Sequence, residues 1–223
     1  MNSLADITAA LLLALALQEE KTEAWHGEQP GEALSLPEHE AEMVDPLPES
    51  GPDRLPGVIL HQHLCNYRLW HIEDCARRVD VSDSEIAACK RAIDRQNQQR
   101  NDLMEQIDQC LAQLLSPLLP THSADLRNTE TPGMAVDRLS ILALKIYHMR
   151  EETLRHDVEE AHRERCGQKL AVLQDQRKAL VSALRHLLQE YVAGTKRPAL
   201  FFQFKMYNDP SLNPELYRNS SRK

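Results

Sequence analysis

The sequence predicts an all-α protein: an antiparallel bundle of four to five long helices, with an acidic disordered linker after the first helix and a C-terminal aromatic tail packed on the bundle. Three observations predict it. Only 7 of 223 residues are Gly, and stretches such as 82–116 contain neither Gly nor Pro, whereas a sandwich or barrel of short strands needs turn residues roughly every 8–12 positions. Apolar residues recur at spacings of three and four along the long segments, the period of a helix face. Start and stop signals stand at the segment ends. Apolar residues make up 42% of the chain and aromatics only 4%, so the core is expected to be aliphatic.

A first helix is expected over about Leu4–Trp25, within an N-terminal unit of residues 1–26. Its apolar run Ile7–Leu17 is too short to cross a bilayer, which takes about 20 residues, and no Lys or Arg precedes it as in a signal peptide. Residues 27–56 hold six prolines and many Glu, a composition that buries too little surface to offset ordering entropy. They read as the linker. The charge is equally uneven. Met1 to Asp53 carry 12 Asp or Glu against the single Lys21, while the remaining 170 residues carry 22 acidic and 25 basic side chains. The net charge of −8 therefore belongs to the N-terminal part. The body has no basic stripe with interleaved aromatics, which argues against nucleic acid.

The bundle domain is expected over 57–217, with a basic tail at 218–223. A second helix runs from about Gly57 to Arg78. Ser82 and Glu85 have capping-box spacing and open a third helix that ends near Ser116, before Pro117 and Pro120. Pro132 and Gly133 open a fourth, expected to reach about Glu164 and break at Cys166-Gly167. A fifth runs to Tyr191 and stops at Gly194, a C-terminal signal. All three Phe lie in the tail that follows.

Polar residues at core-facing positions carry the functional reading. On the second helix, Val58, Gln62, Cys65, Leu69, Ile72 and Ala76 form the core stripe. A neighbouring stripe holds His63, Asn66, Trp70, Glu73 or Asp74, and Arg77, and is read either as a solvated flank or as one wall of a site. The inward stripe of the third helix is Ile86, Ile93, Asn97, Arg100, Met104, Ile107 and Leu111, flanked by Lys90, Asp94, Asn101 and Asp108. A buried amide or guanidinium without partners costs about 1–3 kcal/mol or more. Asn97 and Arg100 therefore need each other, buried water or a ligand, and Asp94 is read as the partner to remove together with Arg100. A purely structural network that fixes helix register is the competing reading. On the fourth helix Asp137, Ile141, Lys145 and His148 share one arc. Sites in bundles lie between helices in this way.

Metal and cofactor signatures are weak, and none is expected. His61 and His63 are two apart on a helix and point away from each other. No Glu-x-x-His pair faces inward on the two long helices, as a di-iron bundle requires. The five cysteines, Cys65, Cys75, Cys89, Cys110 and Cys166, are scattered with no Cys-x-x-Cys, which suits buried thiols in a reducing, cytoplasmic setting.

The stretches 61–77, 90–108, 137–149 and 203–214 carry a resemblance. Their wording, from His61-Gln-His-Leu-Cys-Asn-Tyr-Arg-Leu-Trp onward, resembles a bacterial family catalogued as a domain of unknown function, over most of residues 57–217. Members look like helical proteins encoded among glycosyltransferase and lipopolysaccharide-assembly genes, which implies a role in cell-envelope glycan metabolism. A shorter likeness of Tyr67-x-Leu69-Trp70 to helical haem dioxygenases lacks an assignable axial ligand.

The expectation is a bundle that binds or acts on an anionic, sugar-type metabolite. Arg77, Lys90, Arg100 and Lys145 would neutralise the anion. Asp94, Asn97 and Asn101 would orient hydroxyls, with Asn66, Asp74 and Asp137 on the same surfaces. His63 or His148 would serve as acid or base, and Asp94 stands with them as a third catalytic candidate. The alternative is a non-catalytic adaptor for a glycan-assembly enzyme.

Overall fold

The computed structural model describes residues 3–28, 44–51, 53–204 and 206–220. All the regular structure among them is helical. Five long helices, α1 (Leu4–Glu28), α2 (Arg54–Ala76), α3 (Asp83–Leu115), α4 (Pro132–Leu154) and α5 (Glu160–Val192), pack together, and a short α6 (Pro214–Ser220) follows the tail. No helix among the described residues is long and apolar enough to cross a membrane.

Short connections make α2 and α3, and α4 and α5, antiparallel neighbours, and these two pairs pack most extensively. Helix α1 runs in the same sense as α2. Leu11 shares a core cluster with Leu55 and Val58 at one end, while Thr22 meets His63 and Trp25 meets Tyr67 at the other. Residues 44–51 lead into α2 and pack along it. The Asp45 carbonyl meets His61 Nε2 at 2.9 Å, Leu47 packs on the core, and the Pro48 carbonyl accepts from Arg54 Nη1 at 2.6 Å. This part of the expected linker is packed, because Val44 and Leu47 supply apolar anchors amid the prolines. Residues 29–43 of that linker lie outside the described residues.

Helix ends follow the local chemistry. The Ser82 hydroxyl accepts from the Glu85 amide, and the Glu85 carboxylate accepts from the Ser82 amide, a complete capping box. Thr131 caps α4, with Pro132 in its first turn. Gly194 takes φ +73 and ends α5. The expected break at Cys166-Gly167 is absent: Gly167 lies inside α5, and the chain turns instead between Leu154 and Glu160. There Arg155 pairs with both Glu152 and Asp157, a local ion-pair cluster that holds the turn without Gly or Pro.

The principal core joins Ile7, Leu11, Ile59, Ile107, Leu111, Leu139, Leu188 and their neighbours from all five long helices. Helix α2 is its centre, buried nearly all round from Leu55 to Leu69. Arg177 ties α5 to α1 through the Glu19 carboxylate and the Leu15 carbonyl, each at 2.5 Å. The tail meets α3 where the Gln203 amide donates to Glu105, yet Phe201, Phe202, Phe204 and Tyr207 stay exposed. All five cysteines are free, and four are buried.

Candidate functional site

Helix α4 meets α3 closely at its first turn because Gly133 has no side chain. A Cβ there would run into the Met104 carbonyl oxygen and come 2.9 Å from Asp108 Oδ2. The Gly133 amide donates to Asp108 Oδ1 at 2.6 Å, so an acidic side chain meets the positive end of α4. Burial pushes the Asp108 carboxyl up to about 6 even so. One turn further along, this close approach brings Arg100 of α3 against Asp137 of α4.

Asp137, almost fully buried, is the hub. Its Oδ2 accepts from Arg100 Nη2 at 2.5 Å; its Oδ1 accepts from Arg100 Nε at 2.7 Å, Gln62 Nε2 at 2.5 Å and Asn66 Nδ2 at 3.0 Å. Helices α2, α3 and α4 are thus joined at one carboxylate. The bond to Asp137 raises the Arg100 pKa above its ordinary value. The partner of Arg100 is Asp137 and not Asp94, which pairs with Lys90 one helical turn away on the exposed part of α3.

A second chain of hydrogen bonds starts from the same amide. Asn66 Nδ2 donates to Ser140 Oγ at 2.9 Å, and Ser140 Oγ lies 2.7 Å from His63 Nδ1. On the other side of the ring, His63 Nε2 lies 3.0 Å from Thr22 Oγ1, whose own proton goes to the Gln18 carbonyl. Donor bookkeeping fixes the direction. With its proton spent on Gln18, Thr22 accepts, so His63 carries its proton on Nε2 and Nδ1 accepts from Ser140. Burial drives the His63 pKa down to about 3, so the ring is neutral. His63 is fully enclosed, stacked on Trp25, with both nitrogens engaged. It holds Ser140 and Asn66 in place and cannot meet a ligand as an acid or base.

Outside this network lies a cleft of about 390 Å³ between α2, α3 and α4, lined among others by Asn66, Trp70, Glu73, Asp74, Arg77, Asn97 and Arg100. Asn97 Oδ1 lies 3.5 Å from Arg100 Nη1. Arg77 stands at the exposed rim and bonds the Glu73 carboxylate at 2.9 Å. Leu69, Ile141 and Leu144 supply the apolar surface.

Of the residues singled out in the sequence, Asn66, Asp74, Arg77, Asn97 and Arg100 share this cleft, with Asp137 beneath Arg100. Asn101 is buried on α3 away from the cleft lining. Lys90 and Asp94 pair with each other outside it. Lys145 and His148 line a separate, mainly apolar hollow beyond Trp70, whose indole stacks on the His148 ring at 4.5 Å and 9°. Sequence reasoning missed Ser140 and Thr22. Ser140, three residues after Asp137 in the mostly apolar middle of α4, was a readable signal; Thr22 was not, since its partner lies 41 positions away.

The family profile described as Protein of unknown function (DUF4254) matches residues 57–200, which contain the whole of α2, α3, α4 and α5 except the first turn of α2. No curated protein and no solved structure matches the chain.

Proposed function

We propose that this chain, which belongs to the DUF4254 family, binds a sugar-type metabolite in the cleft between α2, α3 and α4. The observation that carries the reading is the cleft lining itself: the Trp70 indole beside two amides, Asn66 and Asn97, a carboxylate pair, Glu73 and Asp74, and a fixed guanidinium, Arg100. An aromatic face accepts the apolar face of a pyranose, while amides and carboxylates match hydroxyls as paired donors and acceptors. The buried network behind the cleft holds Asn66 and Arg100 rigidly, and such preorganisation lowers the ordering cost of binding.

The cations divide by role. Arg100 is committed to Asp137 and serves as a positioned donor. Arg77 is held by an exposed i,i+4 bridge to the Glu73 carboxylate, worth little, and by a bond from Nη1 to the Glu73 carbonyl at 2.6 Å. It can exchange Glu73 for a phosphate or carboxylate on the ligand at little cost. The resemblance to proteins encoded among lipopolysaccharide-assembly genes supports a ligand from cell-envelope glycan metabolism and a cytoplasmic site of action.

A thermal-shift panel of monosaccharides, sugar phosphates and nucleotide sugars tests this. At least one should raise the Tm of the wild-type protein by mass action and fail to do so for Trp70→Ala. A preference for phosphorylated members should vanish in Arg77→Gln. A panel that leaves the Tm unchanged throughout counts against a sugar site.

A second reading, an adaptor for a glycan-assembly enzyme, draws support from the exposed aromatic tail. Deleting residues 199–223 separates the two, since ligand response should survive that deletion under the first reading.

A further inference from the structure

We propose that His26, His71 and His148, from the C-terminal turn of α1, from α2 and from α4, form a binding site for one divalent transition-metal ion of the zinc class. Each ring offers one nitrogen, and the three nitrogens lie within 4.8 Å of one another. The ring centroids are 4.9 to 6.0 Å apart.

The pattern of hydrogen bonds is what distinguishes this cluster from aromatic packing. In all three rings Nε2 is buried and has no hydrogen-bond partner among the described residues. Buried polar atoms are nearly always satisfied, so three orphaned ring nitrogens within one cluster of histidines are unusual. For two of the rings the other nitrogen is already engaged in the way metal-binding histidines are. His26 Nδ1 donates to the Thr22 carbonyl at 2.7 Å, and His148 Nδ1 donates to the Glu151 carboxylate at 2.9 Å. A carbonyl and a carboxylate can only accept, so in the neutral ring each bond places the lone pair on Nε2. Metal-ligating imidazoles are oriented by such outer bonds. Burial and the neighbouring rings also lower the pKa of His71, to about 4, and that of His26, which keeps these two neutral and able to ligate near pH 7.

Geometry sets the adjustment required. Tetrahedral zinc at a Zn–N distance of about 2.05 Å places its nitrogens roughly 3.3–3.4 Å apart. Nitrogens that lie within 4.8 Å of one another have to close by up to about 1.5 Å to reach that spacing. Three protein ligands leave the fourth position to water or another small ligand. Neutral imidazoles without a thiolate or carboxylate in the set favour zinc, copper, nickel or cobalt over calcium and magnesium.

The other cluster of ligating groups, Glu152, His162 and Cys166, differs in that its members already satisfy each other: His162 Nε2 meets Glu152 at 3.0 Å and Cys166 Sγ at 3.4 Å, and Arg155 also bonds Glu152. It serves as the internal control.

The test uses full-length protein stripped with a chelator and then titrated with Zn2+ by calorimetry and with Co2+ by visible absorption. The expected result is one ion per chain, a rise in Tm, the strong visible bands of tetrahedral nitrogen-bound Co2+, and a change in fluorescence from Trp70, which stacks on His148. His71→Ala should abolish binding, and His162→Ala should not alter it. Glu151 is an exposed residue, so Glu151→Ala should fold normally; loss of its outer bond should weaken binding about 10–100-fold. Absence of binding by the stripped wild-type protein would overturn the proposal, and would assign the three nitrogens to a buried water. So would cobalt bands with sulfur charge transfer that disappear in His162→Ala, or binding unchanged in both His71→Ala and Glu151→Ala.

Discussion

Asp137 holds Arg100 through both carboxylate oxygens, Oδ1 to Nε at 2.7 Å and Oδ2 to Nη2 at 2.5 Å, and so locks α3 to α4 directly beneath the cleft. Arg100 is about a quarter exposed and Asp137 almost fully buried, so the two are unequal. Removing Arg100 leaves Asp137 with amide donors only. Arg100→Met should destabilise the fold by about 1–3 kcal/mol, the lower side of what an orphaned buried charge costs. Arg100→Met with Asp137→Leu should recover part of that loss in urea denaturation, while ligand response stays absent in both. Recovery of ligand response in the double variant would show that the pair only packs.

Gly133→Ala should cost about 1–3 kcal/mol, as overpacking does, because its Cβ meets the backbone oxygen of Met104, which cannot swing aside, as well as the Asp108 carboxylate. A urea midpoint equal to wild type would mean that α3 and α4 can separate freely there.

Asp108 should make stability fall as pH rises. Its folded pKa, about 6, lies above the ordinary value of 3.8. Its contribution is therefore fully present below about pH 4 and is lost as pH climbs through 6. Between about pH 4.5 and pH 7.5 the urea midpoint of Asp108→Asn should gain on that of wild type. A constant gap would mean that the Gly133 amide and the end of α4 hold the carboxyl near its ordinary pKa.

His63 acts in the opposite direction. Its folded pKa of about 3 lies below the ordinary 6.5, so its contribution is complete above 6.5 and is lost as pH falls toward 3. Nitrogen-15 NMR should find a neutral ring protonated on Nε2, with no titration between about pH 8 and pH 5. A ring that titrates in that window, or that carries its proton on Nδ1, would break the assigned chain from Asn66 through Ser140 and His63 to Thr22.

Most of the fold was legible because it is written in local chemistry. The Ser82–Glu85 capping box, the Pro132-Gly133 start and the Gly194 stop are each decided within four residues. The turn between α4 and α5 was not, since Arg155 and Asp157 hold it with side-chain bonds that leave no Gly or Pro signature, while Gly167 sits harmlessly in a helix. Helical period placed Asn66, Asp74, Arg77, Asn97, Arg100 and Asp137 on facing surfaces. It pointed to Asp94 where the structure has Asp137 as the partner of Arg100, because that choice depends on how closely Gly133 lets two helices approach. Nor could it separate His63 from a solvated flank, since α2 is buried on that side by α1. His26, His71 and His148 meet for the same reason, from three helices whose spacing in sequence has no pattern.

The most direct measurement of the central claim follows the two indole N–H resonances of the protein while the best ligand of the sugar panel is titrated in. Trp70 lines the cleft and Trp25 is sealed in the core against His63 and Tyr67. Binding in the cleft should shift the Trp70 indole and the side-chain amides of Asn66 and Asn97 in a saturable way and leave Trp25 in place. A saturating ligand that moves other resonances while Trp70, Asn66 and Asn97 stay fixed would contradict it.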